Sequence, residues 1–154
     1  MHTLHLRDLI APDAPPVRVM AAYHTSANRH DHDFFEMVYV TDGFCLQDAA
    51  GSVSLLMEGD LFILKPGVSH KYMGNRVTHI YNCVFQLDAL GESLSELRAL
   101  PGLDRLFSGD LSLNPPRLHL SLVERKTVRR MLANMCEECT NQPMGWRVRL
   151  AGQL

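Results

Sequence analysis

Between residues 33 and 87 no apolar run goes far before a turn signal interrupts it, and this spacing narrows the fold most. Residues 33–41 are rich in aromatic and β-branched types and read as a strand. Asp42-Gly43 then marks a turn between apolar runs. Phe44 to Gln47, Val53 to Met57 and Leu61 to Leu64 are further short strands, parted by Asp48-Ala49-Ala50-Gly51 and by Glu58-Gly59-Asp60. Pro66-Gly67 is another turn, and Val77 to Leu87 reads as a final long strand. Upstream, residues 1–16 form a weak strand and a Pro-rich turn, residues 17–24 a strand, and Ser26-Ala27-Asn28-Arg29 a loop. Many short strands, each closed by Gly, Asp or Pro, predict an antiparallel sandwich or barrel.

From Ser93 the period becomes helical. Leu94, Leu97 and Leu100 precede Pro101, and Leu103, Leu106 and Phe107 follow it at helical spacing. Asn114-Pro115-Pro116 breaks the run. Ser121-Leu122-Val123-Glu124 then matches a capping box. Leu120, Val123, Thr127, Val128, Met131, Met135, Cys136 and Cys139 can share one face of the helix it opens, which Asn141-Gln142-Pro143 ends. Trp146, Leu150 and Leu154 sit at i, i+4 and i+8 with no stop signal after them, so a third helix is expected to continue downstream into a longer chain. The expected division is a barrel over residues 1–90 and a helical region over residues 91–154.

An apolar fraction of 46% in 154 residues supplies an ordinary core. The formal charge of −2 offers no basic footprint, which argues against nucleic-acid binding by these residues alone. No stretch has the length and apolarity of a membrane span or a signal peptide, so a cytoplasmic protein is expected. In that compartment Cys45, Cys83, Cys136 and Cys139 are expected as free thiols. The Cys136-Glu137-Glu138-Cys139 spacing is that of redox or zinc pairs, but both sulfurs fall on the apolar stripe, which favours packing.

The chemistry concentrates in His30, His32, Glu36 and His70. Imidazole and carboxylate are the usual ligands of zinc, nickel, iron and manganese. His30, His32 and Glu36 share parity, so one strand face can present all three, and the same face carries Phe34, Val38 and Val40. A straight strand would hold His32 and Glu36 about 13 Å apart, so Glu36 joins only if the backbone bends or bulges. His70 must come from a neighbouring strand. The competing reading makes these four hydrogen-bonding groups in an effector pocket. Phe34, Tyr23 and Tyr72 are candidates to stack on a ligand, with Glu36 accepting its hydroxyls. Lys65 and Lys71 read as exposed turn lysines, and His2, His5, His24, His79 and His119 as solvated.

The two motifs resemble the paired signatures of the cupin superfamily. His30, His32, Glu36 and Gly43 fit the first; Gly59, Gly67 and His70 fit the second. His24 replaces an expected Gly, Lys65 an expected Pro, and Gly74 an expected Asn. A narrower resemblance joins residues 34–43, 59–70, the strand Tyr81-Asn82-Cys83-Val84-Phe85 and the helical tail to the N-terminal sensor domain of AraC-family transcription regulators. The resemblance implies a mainly β fold: a cupin-like antiparallel barrel or jelly roll followed by two to three C-terminal helices. It implies a small-molecule effector in the barrel, often a sugar, a homodimer through the helices, and DNA binding only through a separate C-terminal domain. A non-enzymatic sensor is therefore the favoured reading. The alternatives are a stand-alone metal-dependent cupin enzyme of oxygenase or isomerase type, and a plain dimerisation module.

Overall fold

The computed structural model describes residues 2–101 and 116–154. Among them lie strands β1 (His2–Leu4), β2 (Val17–His32), β3 (Phe35–Asp42), β4 (Phe44–Ala49), β5 (Ser52–Met57), β6 (Asp60–Leu64) and β7 (His70–Phe85). Helix α1 (Ser93–Ala99), strand β8 (Arg117–His119), and helices α2 (Leu122–Asn141) and α3 (Trp146–Ala151) follow. The fold is the mainly β one expected, with helices behind it. Leu103, Leu106 and Phe107 lie outside the described residues.

Two long strands hold the barrel together. The later half of β7 pairs with β3, and its first residues, His70 to Met73, pair with β4. β2 runs beside β7 along both halves, with register shifts between His24 and Ser26 and between Ala27 and His30. The first leaves extra residues on β7 and the second an extra residue on β2, and these irregularities bend the pair, so one chain segment serves both walls. This corrects the loop reading at 26–29: those residues are bulged strand. It also moves the start of the last long strand from Val77 back to His70.

Strand alternation then divides the side chains between two cores. Val38, Val40, Cys45, Leu56, Phe62, Leu64, Tyr72 and Ile80 fill the space between the walls. The opposite face carries Val17, Val19, Phe35, Tyr39, Cys83 and Phe85. Leu120, Leu132, Met135 and Leu150 from the helical region cover that face, so barrel and helices share a buried core. Each such side chain removed from water contributes about 1.5–3 kcal/mol.

The α2 start was legible in detail. The Glu124 amide donates to Ser121 Oγ, and the Ser121 amide donates to the Glu124 carboxylate. β8 was not: Asp60, Leu61 and Phe62 pair with His119, Leu118 and Arg117, a three-residue strand too short to leave a pattern. α3 stops at Ala151, where Gly152 closes it, so the helix does not run through Leu154 as its spacing suggested. Two glycines are demanded by geometry. Gly43 has φ +84°, and a Cβ there would stand 2.7 Å from the Val77 carbonyl oxygen. Gly67, at φ +79°, follows Pro66 in a turn closed by the Val68 amide on the Lys65 carbonyl, the Pro-Gly order of a type II turn.

The cysteines are free, and Cys136 and Cys139 pack against the helix-side core as expected. The amide of buried Val19 in β2 donates to Cys139 Sγ at 3.3 Å. Burial, with Cys139 beside it, pushes the Cys83 thiol up to about 12. Only a thiolate is a competent nucleophile. Native protein at pH 8 should therefore leave Cys83 unmodified by iodoacetamide, with labelling only after unfolding, as peptide mass analysis would read. A folded-state value above the ordinary 9.0 also means that this thiol's contribution to stability is intact below pH 9 and declines as pH rises toward 12.

Candidate metal centre

His32 is the last residue of β2 and Glu36 the second of β3, and the bend at Asp33 and Phe34 joins them. The bend is pinned from several sides. Asp33 accepts from the Leu6 amide at 2.9 Å and meets His5 Nδ1 at 2.7 Å. The Asp33 amide donates to Leu4 O at 3.2 Å, and the Gly67 amide donates to His32 O at 2.9 Å. The second motif's turn is thereby fastened to the first motif's bend. Glu36 Oε2 consequently lies 3.3 Å from His32 Nε2 and 3.5 Å from His70 Nε2. The 13 Å of a straight strand has been removed by the kink that the spacing required.

Three donor atoms, one from each of His32, Glu36 and His70, all lie within 4.8 Å of one another. His32 is 1% exposed, Glu36 7% and His70 0%. The other atoms of these side chains are already engaged. His32 Nδ1 meets Phe34 O at 2.7 Å, and His70 Nδ1 meets Val68 O at 3.1 Å. A carbonyl oxygen only accepts, so both Nδ1 atoms carry a proton, and in the neutral ring each Nε2 presents a lone pair. The Asn82 amide donates to Glu36 Oε1 at 2.5 Å. His32 Nε2, His70 Nε2 and Glu36 Oε2 are left buried without a hydrogen-bond partner.

Such orphaned donors are costly unless something binds them. The set fits a divalent transition ion. Donors held about 2.1 Å from one ion in tetrahedral arrangement stand roughly 3.4 Å apart. Backbone carbonyls fixing the remote ring nitrogen are the usual support of a metal-binding imidazole. Electrostatics point the same way. Burial works to raise the Glu36 carboxyl, but His32, His70 and Asn82 outweigh it and hold its pKa at about 2. Burial pushes the His70 imidazole below the usual histidine value, against the pull of Glu36. An ionised carboxylate and a neutral imidazole are the forms a metal takes.

The remaining expected residues are placed as follows. His30 packs its ring on His70, centroids 4.3 Å apart, but stays outside the converging trio; its Nδ1 meets Asn28 O at 2.8 Å. Phe34 stacks on His32 at 4.5 Å and is buried against Leu6 and Val84. Tyr72 is buried, meets His70 edge-on at 5.7 Å, and accepts at its hydroxyl from Gln47 Nε2. Burial, then the charge of Glu36, raise that hydroxyl well above the ordinary tyrosine value. Tyr23 is 71% exposed beside His79 and is not brought to the centre. Lys65 is buried rather than exposed, and Lys71 lies 3.8 Å from Asp48.

Three residues near the centre escaped the sequence reading. Asn82 and Gln47 are polar side chains at inward positions of apolar strands, a parity signal that could have exposed them. His24, read as solvated, stacks on Tyr72 at 5.1 Å, and burial lowers its pKa. Reading residues 26–29 as a loop cut it off from the strand face of His30.

The model of the AraC-like ligand binding domain matches residues 16–151. None of the curated proteins matches the sequence. Among solved structures, a ligand-free ToxT variant from Vibrio cholerae is similar at a TM-score of 0.60 and 8% identity, covering 90% of this chain and 52% of that one. The chain thus spans about half of that protein. A cupin-2 domain protein from Shewanella frigidimarina is similar at 0.43 and 18% identity, over 48% of this chain and 74% of its own. A conserved Streptococcus pyogenes protein of unknown function is similar at 0.43 and 14% identity, over 46% and 65%. With 136 of its residues matched by the family model, this chain belongs to the AraC-like ligand binding domains.

Proposed function

We propose that this domain senses a small molecule at a divalent metal ion held by His32, Glu36 and His70. The observation that carries the metal is the convergence of three buried, unpartnered donor atoms whose remote atoms are all anchored. An ion bound there would act as a Lewis acid toward an oxygen-bearing effector. The expected effector class, from the family resemblance, is a sugar or related hydroxylated metabolite. Tyr72 suits it, since a phenol that keeps its proton is a donor to ligand oxygens. Phe34, by contrast, is better explained as the packing that orients His32.

The same reading extends to assembly. Leu122, Val123 and Met131 on α2 and Val148 on α3 are exposed apolar residues, which supports pairing of the helical region, residues 91–154, with a second copy. DNA binding would belong to a separate domain of the regulator, working in the cytoplasm. No helix among the described residues is long and apolar enough to cross a membrane.

The test is a thermal melt of metal-loaded protein against a panel of sugars and hydroxy acids. A binder at 100 times its Kd should raise Tm by about 5 °C or more. The same compound should leave Glu36→Gln unmoved. Absence of any shift across the panel, or an equal shift in Glu36→Gln, would contradict the sensor reading at this site. Chemical conversion of the bound compound would instead establish the metal-dependent enzyme.

A further inference from the structure

A separate cavity opens at the corner where the N-terminal segment, the barrel and the helices meet. Its volume is about 170 Å³, and none of its walls belongs to the metal centre. Leu9, Ile10, Ala14 and Val17 line it from the N-terminal segment and the start of β2, Cys139 from α2 and Trp146 from α3. A cavity of this size accepts a single six-membered ring. The thiol in the wall behaves as an apolar group. Burial raises the Cys139 pKa above the ordinary cysteine value, so the sulfur keeps its proton at neutral pH, and it accepts from the Val19 amide.

One cation at this cavity has no anion to match it. Arg18 of β2 lines the cavity, and its guanidinium donates to the Leu9 carbonyl. The nearby carboxylates are taken by other arginines. Asp13 meets Arg147 at 2.7 Å, and Glu138 accepts from Arg149 at 2.7 and 2.9 Å. No carboxylate lines the cavity, and none among the described residues pairs with Arg18. Gln142 lines it as well. Neither its side-chain amide nor the Trp146 indole N–H has a hydrogen-bond partner among the described residues.

We propose that this cavity is a second ligand site, taking a small monocarboxylate with an aromatic or branched apolar body. The body fills the apolar walls, and the carboxylate pairs with the Arg18 fork. A sugar would leave its hydroxyls without partners against these walls, and a second carboxylate would be buried unpaired. The occupant touches the N-terminal segment, β2, α2 and α3 at once, so it fastens the helices to the barrel.

Trp146 is the sole tryptophan of the chain, so its fluorescence reports on this corner. The probe is benzoate, titrated into chelator-stripped protein so that no metal ion takes the carboxylate. A ligand of this size should give a saturable change with a Kd on the order of 0.1–1 mM. Arg18→Met should weaken binding by roughly tenfold or more. Benzyl alcohol, the same ring without the charge, should bind wild type roughly tenfold more weakly and be indifferent to Arg18→Met. Ala14→Leu, which adds carbons to one wall and leaves Arg18 in place, should abolish saturation.

Arg18 is exposed and Ala14 sits in a turn, so each variant remains informative if the other fails to fold. No saturable change in wild type at ten times the expected Kd would overturn the site. Equal benzoate affinity in Arg18→Met, or benzyl alcohol binding as tightly as benzoate, would overturn the carboxylate assignment. Glu36→Gln should bind benzoate as wild type does. Loss of binding in that variant would place benzoate in the barrel and overturn the proposal as well.

Discussion

His70→Ala should remain folded and lose the metal, with affinity weakened on the order of a thousandfold or more by calorimetric titration with Zn²⁺. His70 supplies one of the three converging donors, and its Nε2 has no other partner. The substitution removes a donor and leaves Glu36 Oε2 facing only His32. His24→Ala, which alters a ring stacked on Tyr72 but no atom of the trio, should bind nearly as wild type. A full-affinity equivalent in His70→Ala would mean that the ligand set is wrong.

Phe34→Ala should cost about 3–5 kcal/mol of stability, a large share of the roughly 5–15 kcal/mol that hold a domain together. Phe34 is 1% exposed, and Leu6 and Val84 share its buried cluster, with Leu4, Leu9, Ile10 and Met20 packed around it. It sits in the bend between β2 and β3, so its loss also frees the ring that lies over His32. Phe34→Leu, which keeps most of the volume, should cost less than about 1.5 kcal/mol. Urea denaturation of the metal-free proteins measures both. A loss under about 1 kcal/mol in Phe34→Ala would show that the side chain is not core and would restore its reading as a ligand-stacking face.

The strands from Phe35 to Leu64 were legible because each carries a two-residue period and ends at a residue chosen for its backbone, such as Gly43 or Gly59. The α2 start was legible because Ser121 and Glu124 satisfy each other's backbone amides within four residues. The trio was half legible. Parity put His32 and Glu36 on one face, while His70 was read as a ligand from a neighbouring strand that the spacing alone could not place. The spacing showed that a bend was needed but not what makes it. That depends on Asp33 reaching Leu6 and His5, and on Gly67 reaching His32, contacts between segments far apart in the chain.

Other features were hidden for similar reasons. β8 exists because Arg117 to His119 find β6, not because three residues prefer a strand. The two register shifts in β2 cancel between His30 and His24, so simple alternation would have placed His24 inward, and reading residues 26–29 as a loop is what broke that count. Tyr23, one residue away from His24, faces outward by the same alternation that turns His24 in. Local pattern therefore served where backbone and side chain answer to near neighbours, and failed where distant strands set the register.

The most direct test is a crystal of the zinc-loaded protein with anomalous diffraction at the zinc edge. The expected result is one ion per chain, bonded to Nε2 of His32, Nε2 of His70 and the carboxylate of Glu36. An ion held elsewhere, or a barrel without one at saturating zinc, would contradict the assignment.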